Sequence, residues 1–148
     1  MANEACELSP YLTVKNADAM IAFYEQAFGA ELHYALRGPN DGKIGHAELS
    51  IFGRRMMLAD EFPDFGALGP ETIGGSPVKL HLMVDDVDKV FAAALAAGAT
   101  ELRPVKDQFH GHRGGMIADP AGHHWFIQTK TEDVSPEEMQ RRWASEMG

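Results

Sequence analysis

One stretch of this chain occurs twice. Val14 to Phe28, followed by Gly29-Ala30-Glu31-Leu32, reads as the end of a strand, a helix, a helix-closing glycine and a Glu-Leu pair. Val84 to Ala97, followed by Gly98-Ala99-Thr100-Glu101-Leu102, reads the same way. A repeat about half the chain long restricts the fold to architectures built from two copies of one supersecondary unit. At 148 residues the chain holds one domain, or two small modules sharing a core.

Hydrophobic patterning fills in each copy. Leu8 to Val14 has a β-rich composition, and Asn16 to Phe28 switches to helical spacing, with Met20, Ile21, Tyr24, Ala27 and Phe28 on one stripe. A strand from Glu31 to Leu36 follows, then the loop Gly38-Pro39-Asn40-Asp41-Gly42, then alternation through Ile44, His46, Glu48 and Ser50. Phe52-Gly53-Arg54-Arg55 turns that strand back into Met56 to Asp60. Residues 8–61 therefore read βαβββ. Residues 62–77, rich in Gly and Pro and without a period, are expected to be a linker or lid.

The second copy, residues 78–130, starts with a strand from Val78 to Val84. A helix opened by Asp85-Asp86 comes next, and then a strand from Thr100 to Val105. Asp119-Pro120-Ala121-Gly122 supplies the turn of a hairpin between Gly115–Ala118 and His123–Lys130. Ser135-Pro136-Glu137-Glu138 has the form of a capping box and predicts a helix over 136–147, solvated and packing through Met139 and Trp143. The fold class is α+β, with tandem βαβββ modules.

Charge and composition exclude several functions. A net charge of -9 repels a phosphate backbone, and Arg54-Arg55 and Arg141-Arg142 are too short for a basic stripe, so no nucleic-acid partner is expected. No apolar run approaches the ~20 residues of a membrane span. Residues 1–5 carry neither a basic nor an apolar leader segment, which makes the cytoplasm the expected compartment. The single Cys6 rules out an intramolecular disulfide. No phosphate-binding glycine loop, Ser-His-Asp order or zinc-protease motif is present.

The tandem modules, Ala22-Phe23-Tyr24-Glu25-Gln26-Ala27-Phe28-Gly29-Ala30 and Asp119-Pro120-Ala121-Gly122-His123 together resemble the vicinal oxygen chelate superfamily, the glyoxalase, bleomycin-resistance and extradiol dioxygenase group. Val78-Lys79-Leu80-His81-Leu82, Val84-Asp85-Asp86-Val87-Asp88, Asp107-Gln108-Phe109 and the run from Thr131 to Met139 are similar to its PhnB-like branch. The resemblance implies a curved mixed-sheet cup with helices on the convex face, commonly in a homodimer. It does not fix an activity, because one fold hosts many. The family's metal enzymes place ligands on the first and last strands of each module. The matching positions here are Ser9, Leu58 or Ala59, Lys79 and Phe126, none of them a carboxylate or histidine. No metal site of that kind, and no cofactor, is therefore expected.

Strand alternation then sorts the side chains, since residues two apart share a face. With Ser9, Lys79 and Phe126 marking the concave face, Tyr11, Thr13, His81, Met83, His124 and Gln128 share it. On the third strand His46, Glu48 and Ser50 form the polar side, while Leu12, Val14, Leu80, Leu82, Trp125 and Ile127 belong to the core. Tyr11, Met57, Met83 and Phe126 would give a ligand site its apolar walls. His46, Glu48, His81 and Arg113 would give it polar contacts, with Lys79 a further cation and His124 flanking. His81 is the candidate general base, with Glu48 beside it in the catalytic reading; a strand histidine satisfied by a neighbour is the alternative for His81. Arg113 either binds an anionic group bidentately or pairs with a local acid.

The expected function is a cup that binds a small, partly apolar molecule without the usual metal, either sequestering it or acting as a lyase or isomerase. The alternative is a metal-dependent lyase or dioxygenase with a displaced site around His46, Glu48 and His81, assisted by His110 and His112.

Overall fold

The computed structural model describes residues 6–148, so the reading of residues 1–5 lies outside it. The chain divides into two compact units, Met1–Ser76 and Pro77–Gly148. Each is a four-stranded mixed sheet with helices, and the architecture is α+β.

The first unit runs β1 (Tyr11–Val14), α1 (Ala17–Phe28), β2 (Glu31–Arg37), β3 (Ile44–Ile51) and β4 (Arg54–Asp60). The sheet order is β1-β4-β3-β2, with β1 parallel to β4 and the other pairs antiparallel. Strand β1 is shorter than the composition suggests. Pro10 lacks the N–H a ladder needs, although its carbonyl accepts from Met57 N at 3.0 Å, and Leu8 is wholly exposed. Asn16 caps α1 by accepting from Ala19 N at 3.1 Å, and Gly29, at φ 65°, closes it in the left-handed conformation. The buried stripe Met20, Ile21, Tyr24, Ala27 and Phe28 faces the sheet side that carries Ala47, Leu49 and Leu58. The carboxylate of Asp60 ties these layers together. Its Oδ1 accepts from Ala17 N and its Oδ2 from Ile44 N, both at 2.8 Å.

The turn from β3 to β4 has two central residues, Phe52 (φ 49°) and Gly53 (φ 77°), both left-handed as a hairpin of this length requires. Residues 62–77 fold into a 3₁₀ turn at Pro63–Phe65 and a single helical turn, α2 (Pro70–Ile73). Glu61 organises them by accepting from Gly69 N at 2.7 Å and from the Thr72 hydroxyl, bonds that hold its carboxyl below the usual range.

The second unit repeats the plan with β5 (Lys79–Met83), α3 (Val87–Ala96), β6 (Thr100–Asp107), β7 (His112–Ala118) and β8 (His124–Lys130), in the order β5-β8-β7-β6. Val87, Phe91 and Ala94 of α3 are buried on the sheet side of Ile117, Trp125 and Ile127. Leu80 and Leu82 of the edge strand β5, expected in the core, are only half-buried, whereas Leu12 and Val14 of the equivalent edge strand β1 are buried.

The β7–β8 turn is built around Asp119, only 3% exposed. Its Oδ1 accepts from Ala121 N and His123 N at 3.0 Å each, and its Oδ2 accepts the indole N–H of Trp125 at 2.9 Å. The chain ends in α4 (Pro136–Met147), capped by Ser135 on Glu138 N at 3.2 Å. Ionic and polar links hold it: Arg142 donates to the Phe109 carbonyl at 2.9 Å and to Glu132 at 2.8 Å, while Trp143 stays half exposed. Among the described residues no helix is long and apolar enough to cross a membrane.

Candidate functional site

Each sheet buries one face under its helices and leaves the other more open, although Met116 and Gln128 on that face of the second unit are themselves buried, and the strand registers state which side chains the face carries. In the first unit one row runs Tyr11, Met57, Glu48, Tyr34, with His46 and Leu36 paired in the next row and Thr13 beside Ala59. Tyr11 and His46 share a hydrogen bond, Oη to Nδ1 at 2.8 Å, and the His46 ring also lies 5.7 Å from that of Tyr34. Partial burial, with Tyr34 adding to it, pushes the Tyr11 hydroxyl up, so it stays protonated through the neutral range. Glu48 is held by Arg55 at 3.2 Å, and Arg55 also reaches Glu7. A pocket of about 390 Å³ opens next to Tyr11, Thr13 and Ala59, walled by Phe62, Phe65 and Lys43.

The open face of the second unit has three rows. Lys79 lies beside His124 and Ala118; His81 beside Phe126, Met116 and Arg103; Met83 beside Gln128, Gly114 and Lys106. His81 Nε2 and Gln128 Oε1 are 2.6 Å apart. An amide oxygen can only accept, so this ring nitrogen carries the proton and Nδ1 is left as the basic one. Gly114 makes the contact possible. A Cβ there would sit 2.6 Å from Gln128 Cγ, so only glycine lets the Gln128 chain lie across the strand toward His81. Phe126 packs beside His81 with ring centroids 5.8 Å apart.

Sequence reasoning thus placed Tyr11, His46, Glu48, Met57, Lys79, His81, Met83, His124 and Phe126 on faces that the registers leave open. Arg113 lies elsewhere. It pairs in register with Thr129, on the helix side, and its guanidinium grips Asp88 of α3 through Nε at 2.9 Å and Nη2 at 3.0 Å, with Asp107 at 3.4 Å. Of its two expected roles, the geometry has it pairing with local acids. His110 and His112 face each other with Nδ1 atoms 3.0 Å apart, and burial followed by the neighbouring His112 pulls the His110 imidazole below its ordinary value. Alternation missed Tyr34 and Leu36 on β2, and Arg103 and Lys106 on β6. Bulges shift the register of both strands, and the Pro104 inside β6 was the available signal.

The registers also correct one of the expected metal positions. His81 pairs with Phe126, and Tyr11, seventy residues before His81, pairs with Met57. The counterpart of Phe126 in the first unit is therefore Met57 and not Leu58 or Ala59; Leu58 is fully buried under the helix. Ser9, Met57, Lys79 and Phe126 offer a hydroxyl, a thioether, an ammonium and a hydrocarbon ring, which do not fit a divalent ion of the family's usual kind. In neither unit do three His, Cys, Asp or Glu side chains of the described residues gather as a ligand set. His46, Glu48 and His81 are each engaged by a neighbour: Tyr11, Arg55 and Gln128 respectively.

Comparison with known proteins agrees with this architecture. The Mycobacterium bovis protein Mb0911c is 42% identical over 142 residues, which cover 94% of this chain and 93% of that protein. The crystal structure of PA1353 from Pseudomonas aeruginosa superposes with a TM-score of 0.70 at 25% identity, covering 86% of this chain and 99% of that one. A PhnB protein from Bacillus cereus shares the fold, with a TM-score of 0.66 at 19% identity over 84% of this chain and 99% of its own. The family model described as Glyoxalase/Bleomycin resistance protein/Dioxygenase superfamily matches residues 6–127, and the chain belongs to that superfamily.

Proposed function

We propose that the open sheet faces receive a small, partly apolar molecule without a metal ion. The observation that carries this reading is the make-up of those faces. In the first unit Tyr11 is 50% exposed and bonded to His46; in the second Met83 is 47% exposed, with a half-buried Phe126 in the neighbouring row and the His81–Gln128 pair already oriented for hydrogen bonding. Apolar walls with a few fixed polar groups are the usual constitution of a small-ligand site. Lys79, His124 and Glu48 border them and add polarity.

Two outcomes are compatible with such a site. The protein sequesters its ligand, or it acts as a lyase or isomerase. In the second, Nδ1 of His81 takes a proton from the ligand while Gln128 holds Nε2–H. The protein is further proposed to act as a homodimer in the cytoplasm, as its resemblances suggest.

The test is a thermal-shift screen of hydrophobic drugs, thiol adducts and α-keto acids against wild type, Tyr11→Ala and Phe126→Ala. A compound that raises the wild-type midpoint and loses its effect in either variant supports the reading. Equal shifts in all three proteins count against it. Metal analysis of freshly purified protein decides the other half, since a stoichiometric ion lost on His81→Ala would sink the metal-free reading.

A further inference from the structure

Strand β6 carries two cations that the regular alternation of a strand would not put on one side. Arg103 and Lys106 are three residues apart, so in an unbroken strand they would face opposite ways. The register is broken. Glu101 pairs with Ile117, Arg103 with Met116 and Lys106 with Gly114, so β6 advances two and then three residues where β7 advances one and two. Ile117 is fully buried on the helix side. Met116 and Gly114 belong to the open rows with Phe126 and Gln128, and both cations therefore join the open face.

There they border a pocket of about 440 Å³, lined among others by Phe109, His110, Met116 and Phe126. That size falls within the ~300–1,000 Å³ common for small-ligand sites. Charges on an edge strand also discourage edge-to-edge pairing, and β6 is an edge. That role accounts for the charges, for Pro104 and for the bulge as edge protection; it does not account for both cations bordering one cavity.

Arg37, Arg55, Arg113, Arg141 and Arg142 are each held by a carboxylate. The side chains of Arg103 and Lys106 form no hydrogen bond or ion pair among the described residues, and Lys43, Arg54, Lys79 and Lys89 likewise form no ion pair. What sets Arg103 and Lys106 apart is that both line one pocket.

We propose that this pocket takes the anionic end of a small ligand, a carboxylate, phosphate or phosphonate on an apolar body. Arg103 and Lys106 hold the anion, while Phe109, Met116 and Phe126 pack against the body. The inference rests on the reading of the open faces as a small-molecule site and names the class of molecule for the second of them.

Calorimetric titration of the full chain with phenylphosphonate, with neutral benzyl alcohol and with inorganic phosphate tests it, using wild type and the surface double variant Arg103→Gln/Lys106→Gln. Amide NMR shifts at Met116 and Phe126 locate the binding. Phenylphosphonate is expected to bind more tightly than benzyl alcohol. The double variant is expected to weaken phenylphosphonate by at least about tenfold and to leave benzyl alcohol unchanged, as loss of charge-assisted hydrogen bonds requires. Equal binding of phenylphosphonate by both proteins, or a preference for benzyl alcohol, overturns the anion assignment and leaves the small-molecule reading standing. No shift at Met116 and Phe126 with any probe overturns both. Inorganic phosphate binding as tightly as phenylphosphonate overturns the part assigned to the aromatic wall.

Discussion

The two units carry the same strand order and the same helix placement, yet close their layers with different chemistry. In the first, the helix start is tied to the last strand by a carboxylate: Asp60 takes Ala17 N and, with its second oxygen, Ile44 N. In the second, the equivalent donor, Val87 N, goes to the hydroxyl of Thr129 at 2.8 Å, which holds that one backbone donor. The hairpins differ in the opposite sense. The β3–β4 turn relies on left-handed Phe52 and Gly53, whereas the β7–β8 turn gathers three N–H groups on Asp119. One correspondence survives: the first-turn aspartates Asp18 and Asp88, seventy residues apart, are each gripped by an arginine, Arg37 and Arg113, reaching from different strands. What persists between the copies is where a bond is needed, while the group that makes it is exchangeable.

The hairpins should separate most widely on mutation. Asp119→Ala leaves three donors, one of them the buried indole, without their acceptor, and is expected to lower the unfolding free energy by about 3 kcal/mol in urea titration. A loss no larger than that of an ordinary surface substitution would show that the hub is dispensable. Asp60→Ala should cost about 2 kcal/mol and Thr129→Val about 1 kcal/mol, because one side chain serves two backbone donors and the other one. Equal costs would erase this distinction between the units.

Phe52→Asn should act in the other direction, stabilising by up to about 1 kcal/mol, since Asn-Gly is the preferred pair for a turn with two left-handed residues. The shared helix clamps should give the smallest effects. Hydrogen bonding to arginine holds the Asp18 and Asp88 carboxyls below the ordinary 3.8. Their contribution is then fully present above that value and is lost as pH falls through the depressed one. The melting difference between wild type and Asp18→Asn or Asp88→Asn should therefore persist at pH 5 and vanish well below 3.8, with the same profile in both variants.

Much of this was legible in the residues themselves. The repeat gave the topology, and Asn16, Gly29 and Ser135 marked helix ends where the structure has caps. Parity on β1, β3, β5 and β8 sorted faces correctly because those strands pair without a register break. It was not carried onto β2 and β6, where residues outside the ladder change the face that the following positions take, and so Tyr34, Arg103 and Lys106 escaped notice. Leu80 and Leu82 were read as core from the same parity, which names the face a side chain takes but not how deeply that face is covered. Partners were least visible. Nothing in the spacing of Asp88 and Arg113, or of His81 and Gln128, says that they meet, because their proximity is created by the strand pairing and helix packing of the finished fold.

The bulge in β6 has a bearing on how such a site changes over generations. The extra residue gives the strand slack. Removing Val105 would shorten the step from Arg103 to Lys106 to two residues, the step from Met116 to Gly114, so both cations would keep the open face while the bulge between them disappeared. A single codon lost there would be absorbed at the edge, moving neither charge and leaving the buried sheet intact.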